Sequence, residues 1–196
     1  MGGFDRNPEA EVTSRPEDVF QSEKLRGDIS ISDLILSCTD KRDVRLFLNS
    51  LAIEFNKPCV TASVYRQGFG GEVYAYIPGT SGCFECMERF ADSAGINVDS
   101  TAELTGEEQD RIYGLSLKEF RASGLSIDIQ TISALQARAA LDILLSSATL
   151  RPAPLPCNWL IHYNRPTSDG SAGHHLKTVK LKVKARKDCR CARTSH

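Results

Sequence analysis

Apolar positions along the chain fall into segments of two different periods. Residues 34–39 are apolar on both faces, as in a parallel strand covered by helices on either side. Val44, Phe47, Leu48, Leu51 and Phe55 then recur at i, i+3, i+4, i+7 and i+11, the stripe of an amphipathic helix. Asn56-Lys57-Pro58 ends that stripe, because the residue before a proline is driven out of the helical region. Residues 59–64 form a second apolar run. Strand, helix and strand at this spacing predict a βαβ unit with a right-handed crossover.

The rest of the chain is less regular. Gly68-Phe69-Gly70-Gly71 reads as a turn, and residues 72–77 alternate like a half-buried strand. Residues 87–126 have weak periodicity, many acids and several glycines, and read as a long crossover segment with short helices around 107–112 and 117–120. Thr131 to Leu145 is a helical pattern, apolar nearly all round and so expected to be buried. Residues 151–156 alternate proline with small or apolar residues and form a stiff linker. Trp159–Tyr163 and 177–184 are further strands, the latter with Val179, Leu181 and Val183 opposite Lys180, Lys182 and Lys184. Upstream, residues 7–12 read as the approach to a short strand and 18–24 as one or two helical turns.

Composition narrows the classes. The 196 residues are 41% hydrophobic and 25% charged, with a net charge of −1. That suits an ordinary soluble globular chain with enough apolar content for a core. It gives no bulk attraction to nucleic acid or to an anionic membrane surface, and no apolar run is long enough for a membrane span. Seven cysteines without the spacing of a secreted disulfide framework fit a cytoplasmic metal site better than disulfides.

Two groups of residues can carry chemistry. Asp40 follows the first apolar run and opens the next helix, and in open α/β sheets ligands bind beyond the carboxyl ends of the strands. An acid there can hold a magnesium ion bridging nucleotide phosphates; equally, Thr39 or Asp40 can simply cap the helix. Arg45 and Asn49 lie further along that helix, and Arg45 can equally belong to its solvated face. Cys83-x-x-Cys86 with Cys189-x-Cys191 could supply four thiolates to a tetrahedral structural zinc, although the second pair is compressed, and unrelated free thiols are the alternative. His162, His174 and His175 read as packed or solvated residues, and Cys157 beside the proline linker as a weak nucleophile candidate.

Taken in order, these motifs resemble a known family. The run from Asp33 to Asp40, then Arg45 and Asn49, Lys57-Pro58, the Gly71-Glu72-Val73 strand and Pro78 to Cys86 are similar to the second half of ThiF/MoeB/HesA-type adenylyltransferases. That superfamily includes the ubiquitin-activating enzymes. The resemblance covers about residues 7–145, and the last cysteines resemble the family's second zinc pair. It implies an enzyme that uses ATP and magnesium to adenylate the C-terminal glycine of a ubiquitin-like or sulfur-carrier protein, releasing pyrophosphate. The carboxylate attacks the α-phosphate, so positioning and charge stabilisation dominate catalysis. On this resemblance Asp40 is the catalytic, magnesium-side acid and Arg45 a nucleotide-side residue. Cys83, Cys86, Cys189 and Cys191 are the structural zinc ligands, and Gln136 lies on the family's buried helix. Family members pair through this half, which implies a homodimer or a partner subunit.

The expected fold is therefore α/β: a partial Rossmann-like sheet with a crossover loop over 87–126, in a unit spanning 1–150. Residues 151–196 would add a β extension and a zinc-binding tail. The family's glycine-rich nucleotide loop, ribose-binding acid and asparagine–arginine motif have no match, and Lys41 stands where the family has asparagine. The resemblance thus implies the C-terminal half of a longer protein or a truncated product, unable to adenylate alone. The absence of cysteine between Cys86 and Cys157 argues against a thioester step on the crossover loop. The competing class is a non-catalytic, zinc-stabilised module that binds a ubiquitin-like protein or an active subunit. A dinucleotide-dependent oxidoreductase is disfavoured, because no G-x-G-x-x-G occurs.

Overall fold

The computed structural model of the chain describes residues 9–65, 68–96, 125–147, 157–166 and 174–193. Among them the elements are α1 (Leu25–Ile31), β1 (Ile35–Ser37), α2 (Arg42–Glu54), β2 (Cys59–Val64), β3 (Gly70–Tyr76), α3 (Phe84–Ala94), α4 (Ser126–Leu144), β4 (Trp159–Tyr163) and β5 (Lys177–Leu181). The strands form one sheet in sequence order, β1-β2-β3-β4-β5. Only β1 and β2 are parallel, joined by the α2 crossover with Ile35 opposite Cys59. The other pairs are antiparallel, with Val60 opposite Ala75, Val73 opposite Leu160 and Ile161 opposite Val179.

Side chains alternate across this sheet and meet a helical layer on each face. On one face Val60, Val73 and Ala75 pack with Ile132 and Ala139 of α4. On the other, Cys59, Tyr74, Tyr76, Trp159 and Ile161 pack with Leu51 and Ala52 of α2 and with Phe84 and Met87 of α3. Trp159 and Val60 are fully buried; burying each such side chain contributes about 1.5–3 kcal/mol before packing effects. Gln136 ties α4 to the sheet through its Nε2, which donates to the carbonyls of Ser37 (3.2 Å) and Val60 (3.1 Å). Backbone approach is close where α4 crosses β3: a Cβ on Gly71 would lie 2.4 Å from the Ser63 carbonyl oxygen and 2.7 Å from Ile132.

The predicted βαβ unit, the stop of α2 and the strands at 159 and 177 are all present. Asn56 closes α2 in the left-handed region, φ 52°, which asparagine tolerates better than most residues. Other expectations are corrected. Residues 87–94, expected to begin the crossover segment, are instead part of α3, which is ended by Gly95 as a left-handed C-cap. β3 is buried throughout its length because both sheet faces are covered. β1 is short and lies at the edge, with Leu36 half exposed. α4 begins at Ser126 and is buried on one face only, leaving Ile127, Leu141 and Leu144 exposed. Residues 9–12 form no strand, and the first helix starts at Leu25. The short helices expected at 107–112 and 117–120 and the linker at 151–156 lie outside the described residues.

Candidate metal centre

The β3–α3 connection and the C-terminal segment build one cluster from opposite ends of the chain. Ser81 and Gly82 turn the chain after β3, with the Gly82 N–H donating to the Val183 carbonyl at 3.0 Å. Cys83 occupies the N-cap position of α3 in an extended conformation, without a side-chain cap, and Cys86 falls in the first turn, so a two-residue gap places both sulfurs on one side of the helix start. Cys189 is likewise extended, immediately before a 3₁₀ turn over Arg190–Ala192 that carries Cys191. That tight turn is how a one-residue gap brings two sulfurs together.

The four Sγ atoms lie within 4.8 Å of one another. Cys83 and Cys189 are 3.5 Å apart, Cys86 and Cys191 3.7 Å, and Cys83 and Cys86 3.9 Å. A zinc–sulfur bond of about 2.3 Å in a regular tetrahedron requires sulfurs roughly 3.8 Å apart. Three separations lie close to that value and all lie within 4.8 Å, so the donor set could hold a zinc ion. Cys83, Cys86 and Cys191 are buried and Cys189 is partly exposed.

Electrostatics favour a cation here. The thiol hydrogen of Cys83 lies toward Cys86, which raises the Cys83 pKa and lowers that of Cys86 to about 4. The Arg186 N–H also faces the Cys86 sulfur, at 3.4 Å. Burial pushes Cys191 up to about 12. Crowded, buried sulfurs thus ionise at each other's expense unless a positive ion holds them all as thiolates.

The two limbs are stitched together independently of the sulfurs. Tyr74 OH donates to the Gly82 carbonyl at 2.6 Å, and Asn158 Nδ2 donates to Tyr74 OH and to the Val183 carbonyl, each at 3.1 Å. The Val183 N–H returns to Asn158 Oδ1 at 2.7 Å. From α2, Asn49 Oδ1 accepts the Phe84 N–H at 2.9 Å, and Arg42 makes a bidentate pair with Glu88 of α3 at 2.6 and 2.8 Å. Sequence reading passed over Tyr74 and Asn158, whose only local signal is an aromatic within the β3 run and a polar residue just before β4.

Asp40 is exposed in the short connection between β1 and α2. It does not cap α2, whose N-cap is Lys41 without a side-chain bond; instead Asp43 Oδ1 accepts the Val44 N–H at 2.8 Å. Arg45 is buried, not on a solvated face, and its Nε donates to the Thr39 carbonyl at 2.8 Å. Burial lowers the Arg45 pKa, opposed by the nearby carboxylates of Glu72 and Asp40. Sequence reading missed Glu72, a buried β3 residue near Arg45 whose carboxyl accepts the Trp159 Nε1–H at 2.8 Å. His162 is half-buried and shares a hydrogen bond with Thr178 (2.8 Å), and Cys157 is buried with its thiol pKa raised by burial. Among the described residues no helix is long and apolar enough to cross a membrane.

A sequence model of the ThiF family matches residues 5–191. The chain is 30% identical over 98 residues to the sulfur carrier protein ThiS adenylyltransferase of Escherichia coli (strain K12), covering 46% of this chain and 38% of that protein. It is 31% identical over 65 residues to ubiquitin-like modifier-activating enzyme 5 of Dictyostelium discoideum, covering 33% of this chain and 17% of the relative. Among solved structures, E. coli MccB with ATP superposes with a TM-score of 0.60 at 15% identity, over 95% of this chain and 46% of that one. That likeness speaks to the fold. The chain therefore spans less than half the length of each of these proteins.

Proposed function

The chain belongs to the ThiF family, matched over residues 5–191, and from that premise we propose that it forms the partner-guiding half of an ATP-dependent adenylyltransferase. Its substrate would be the C-terminal carboxylate of a ubiquitin-like or sulfur-carrier protein, the class named for one of its relatives. The observation that carries the reading is the family match, which extends through both cysteine pairs. A division at residue 150 belongs to the proposal, with the adenylation-type half before it and, after it, a β extension that continues the same sheet as β4 and β5 and then the zinc-binding tail.

Each site residue has a role in this reading. Cys83, Cys86, Cys189 and Cys191 would hold a structural zinc, whose bound ion would fix four sulfurs into one rigid joint. Asp40, exposed ahead of α2, would meet the magnesium of the nucleotide from the sheet's edge. Arg45 serves that side by holding the Thr39 carbonyl, and so the backbone that leads into Asp40. The remaining nucleotide-binding groups would come from outside these 196 residues, in a longer chain, a second copy or a partner subunit. Thiolates held by a metal rather than oxidised to disulfides would suit a reducing compartment such as the cytoplasm.

Calorimetric titration of the zinc-loaded chain with a sulfur-carrier protein tests the reading, alongside the same carrier lacking its last two residues. Binding that requires the tail is expected, together with no ATP–pyrophosphate exchange by these residues alone. Failure to bind either carrier, or a ubiquitin-like protein in its place, overturns the substrate class. Exchange by the isolated chain overturns the division of the nucleotide site. Tail-dependent binding to a chain whose longer form also fails to exchange would favour the alternative, a non-catalytic module for a ubiquitin-like protein or an active subunit.

A further inference from the structure

One face of α2 reaches two places at once. Arg45 and Asn49 are four residues apart, hence one above the other on the helix, and both are buried at 7% and 3% exposure. Arg45 donates to the Thr39 carbonyl at 2.8 Å, in the connection that carries Asp40. Asn49 Oδ1 accepts the Phe84 N–H at 2.9 Å, at the start of the helix that carries Cys83 and Cys86.

The second contact does unusual work for an asparagine. The first backbone N–H groups of a helix have no partner within it, and the residue before the helix ordinarily supplies one. Here that residue is Cys83, whose sulfur faces the cluster and makes no side-chain cap. Asn49 supplies the acceptor from a different helix, 35 positions away in the chain. Asparagine offers a neutral carbonyl oxygen beside a crowd of sulfurs, where a carboxylate would add negative charge.

We propose that Asn49 is a positioning residue of the metal centre, capping α3 in place of Cys83, and that the Arg45–Asn49 face of α2 joins that centre to the Asp40 loop. The inference rests on the zinc reading of the cluster and on Asp40 as the magnesium-side acid. Residues that orient metal ligands from outside the coordination shell typically alter metal affinity by about 10–100-fold when removed. Asn49→Ala should therefore release zinc to a chelator about tenfold faster than the wild-type chain. Asn49→Asp retains the acceptor and should fold with α3 capped. Hydrogen exchange gives the readout that a merely space-filling role would not move. In Asn49→Ala the Phe84 amide should lose protection, and amides of residues 39–42 should exchange faster as well. In Asn49→Asp the Phe84 amide should stay protected.

Arg45→Gln separates the two ends: it should free the 39–42 amides while leaving the Phe84 amide protected. Should Asn49→Ala fail to fold, Asn49→Ser, which shortens the acceptor, carries the same measurements. Unchanged zinc release and unchanged Phe84 exchange in Asn49→Ala overturn the positioning role. Faster exchange at Phe84 with none at 39–42 overturns the link to the loop. A wild-type chain that takes up no zinc overturns the metal reading itself, while protection of the Phe84 amide still decides whether Asn49 caps the helix.

Discussion

Glu72 lies in the middle of β3, 6% exposed, with the Trp159 indole as hydrogen-bond donor at 2.8 Å. Burial raises its pKa to about 7; the indole bond and the nearby Arg45 charge pull it down without cancelling that burial. The neutral carboxyl is thus favoured in the folded chain. Its stabilisation is complete below the unfolded value near 4.5 and is lost as pH rises through about 7. A shift of this size corresponds to about 3 kcal/mol at most. Glu72→Gln keeps an acceptor for the indole and removes the titration. Urea unfolding of the two proteins should coincide near pH 4.5 and diverge as pH rises to 8, the glutamine form ending the more stable. Equal stabilities at both pH values would mean that Arg45 keeps Glu72 ionised throughout. The residue has no mark in the sequence: an acid in an apolar strand reads as the solvated position of an alternating pattern. Only the second layer of helices turns that position inward.

At the scale of elements, what could be read in advance follows from how local the determining physics is. α2 was legible because its stripe and its stop are both written within the helix. The Cys83 and Cys86 pair was legible as half of a cluster that could hold a metal, because a two-residue gap between cysteines is written locally. α3 was not, although Phe84, Met87 and Ala91 form a stripe and Gly95 ends it, because its acids and short length resemble a loop until its partners are known. The outer face of α4 misled for the opposite reason: Leu141, Leu144 and Leu145 suggest burial yet lie exposed. The junction between β3 and α3 depends on contacts more than 100 positions apart. A Cβ on Gly82 would lie 2.7 Å from the Lys184 carbonyl oxygen and 2.8 Å from the Cys86 Cβ. Neither neighbour can yield freely, one being backbone and the other the Cβ of a buried cysteine in the four-sulfur cluster. Gly82→Ala should cost about 1–3 kcal/mol through overpacking and leave a substoichiometric zinc content by elemental analysis. A variant with full zinc and wild-type melting temperature would show that the two limbs can slide apart at no cost.

For the whole molecule, the cluster closes a very long loop, since Cys83 and Cys189 are 106 positions apart. Joining such distant points removes chain entropy from the unfolded state; a covalent link over about 100 residues is worth about 4.7 kcal/mol on that account. A metal joint acts in the same sense, provided the ion leaves on unfolding or holds the unfolded chain closed. The sheet does not rest on that joint alone: the α4-side apolar layer and the Tyr74–Asn158 network lie apart from the sulfurs, while Cys83, Cys86 and Cys191 belong to the other layer. Metal loss should therefore free the tail before it unfolds the domain. In the zinc-loaded chain trypsin should spare Lys184, Arg186, Lys187 and Arg190, which lie between β5 and the last ligand. In Cys189→Ser, or after chelation, cleavage there should become fast while the far-UV circular dichroism of the sheet and helices stays near wild type. Unfolding free energy should fall by a few kcal/mol. Lowering the pH should mimic chelation, as protons compete for thiolates that the ion must keep deprotonated. If instead the metal-free chain loses its secondary structure in one step, the thiolates are holding the whole sheet together, and the hydrogen-bonded network behind them is too weak to keep the two limbs in register.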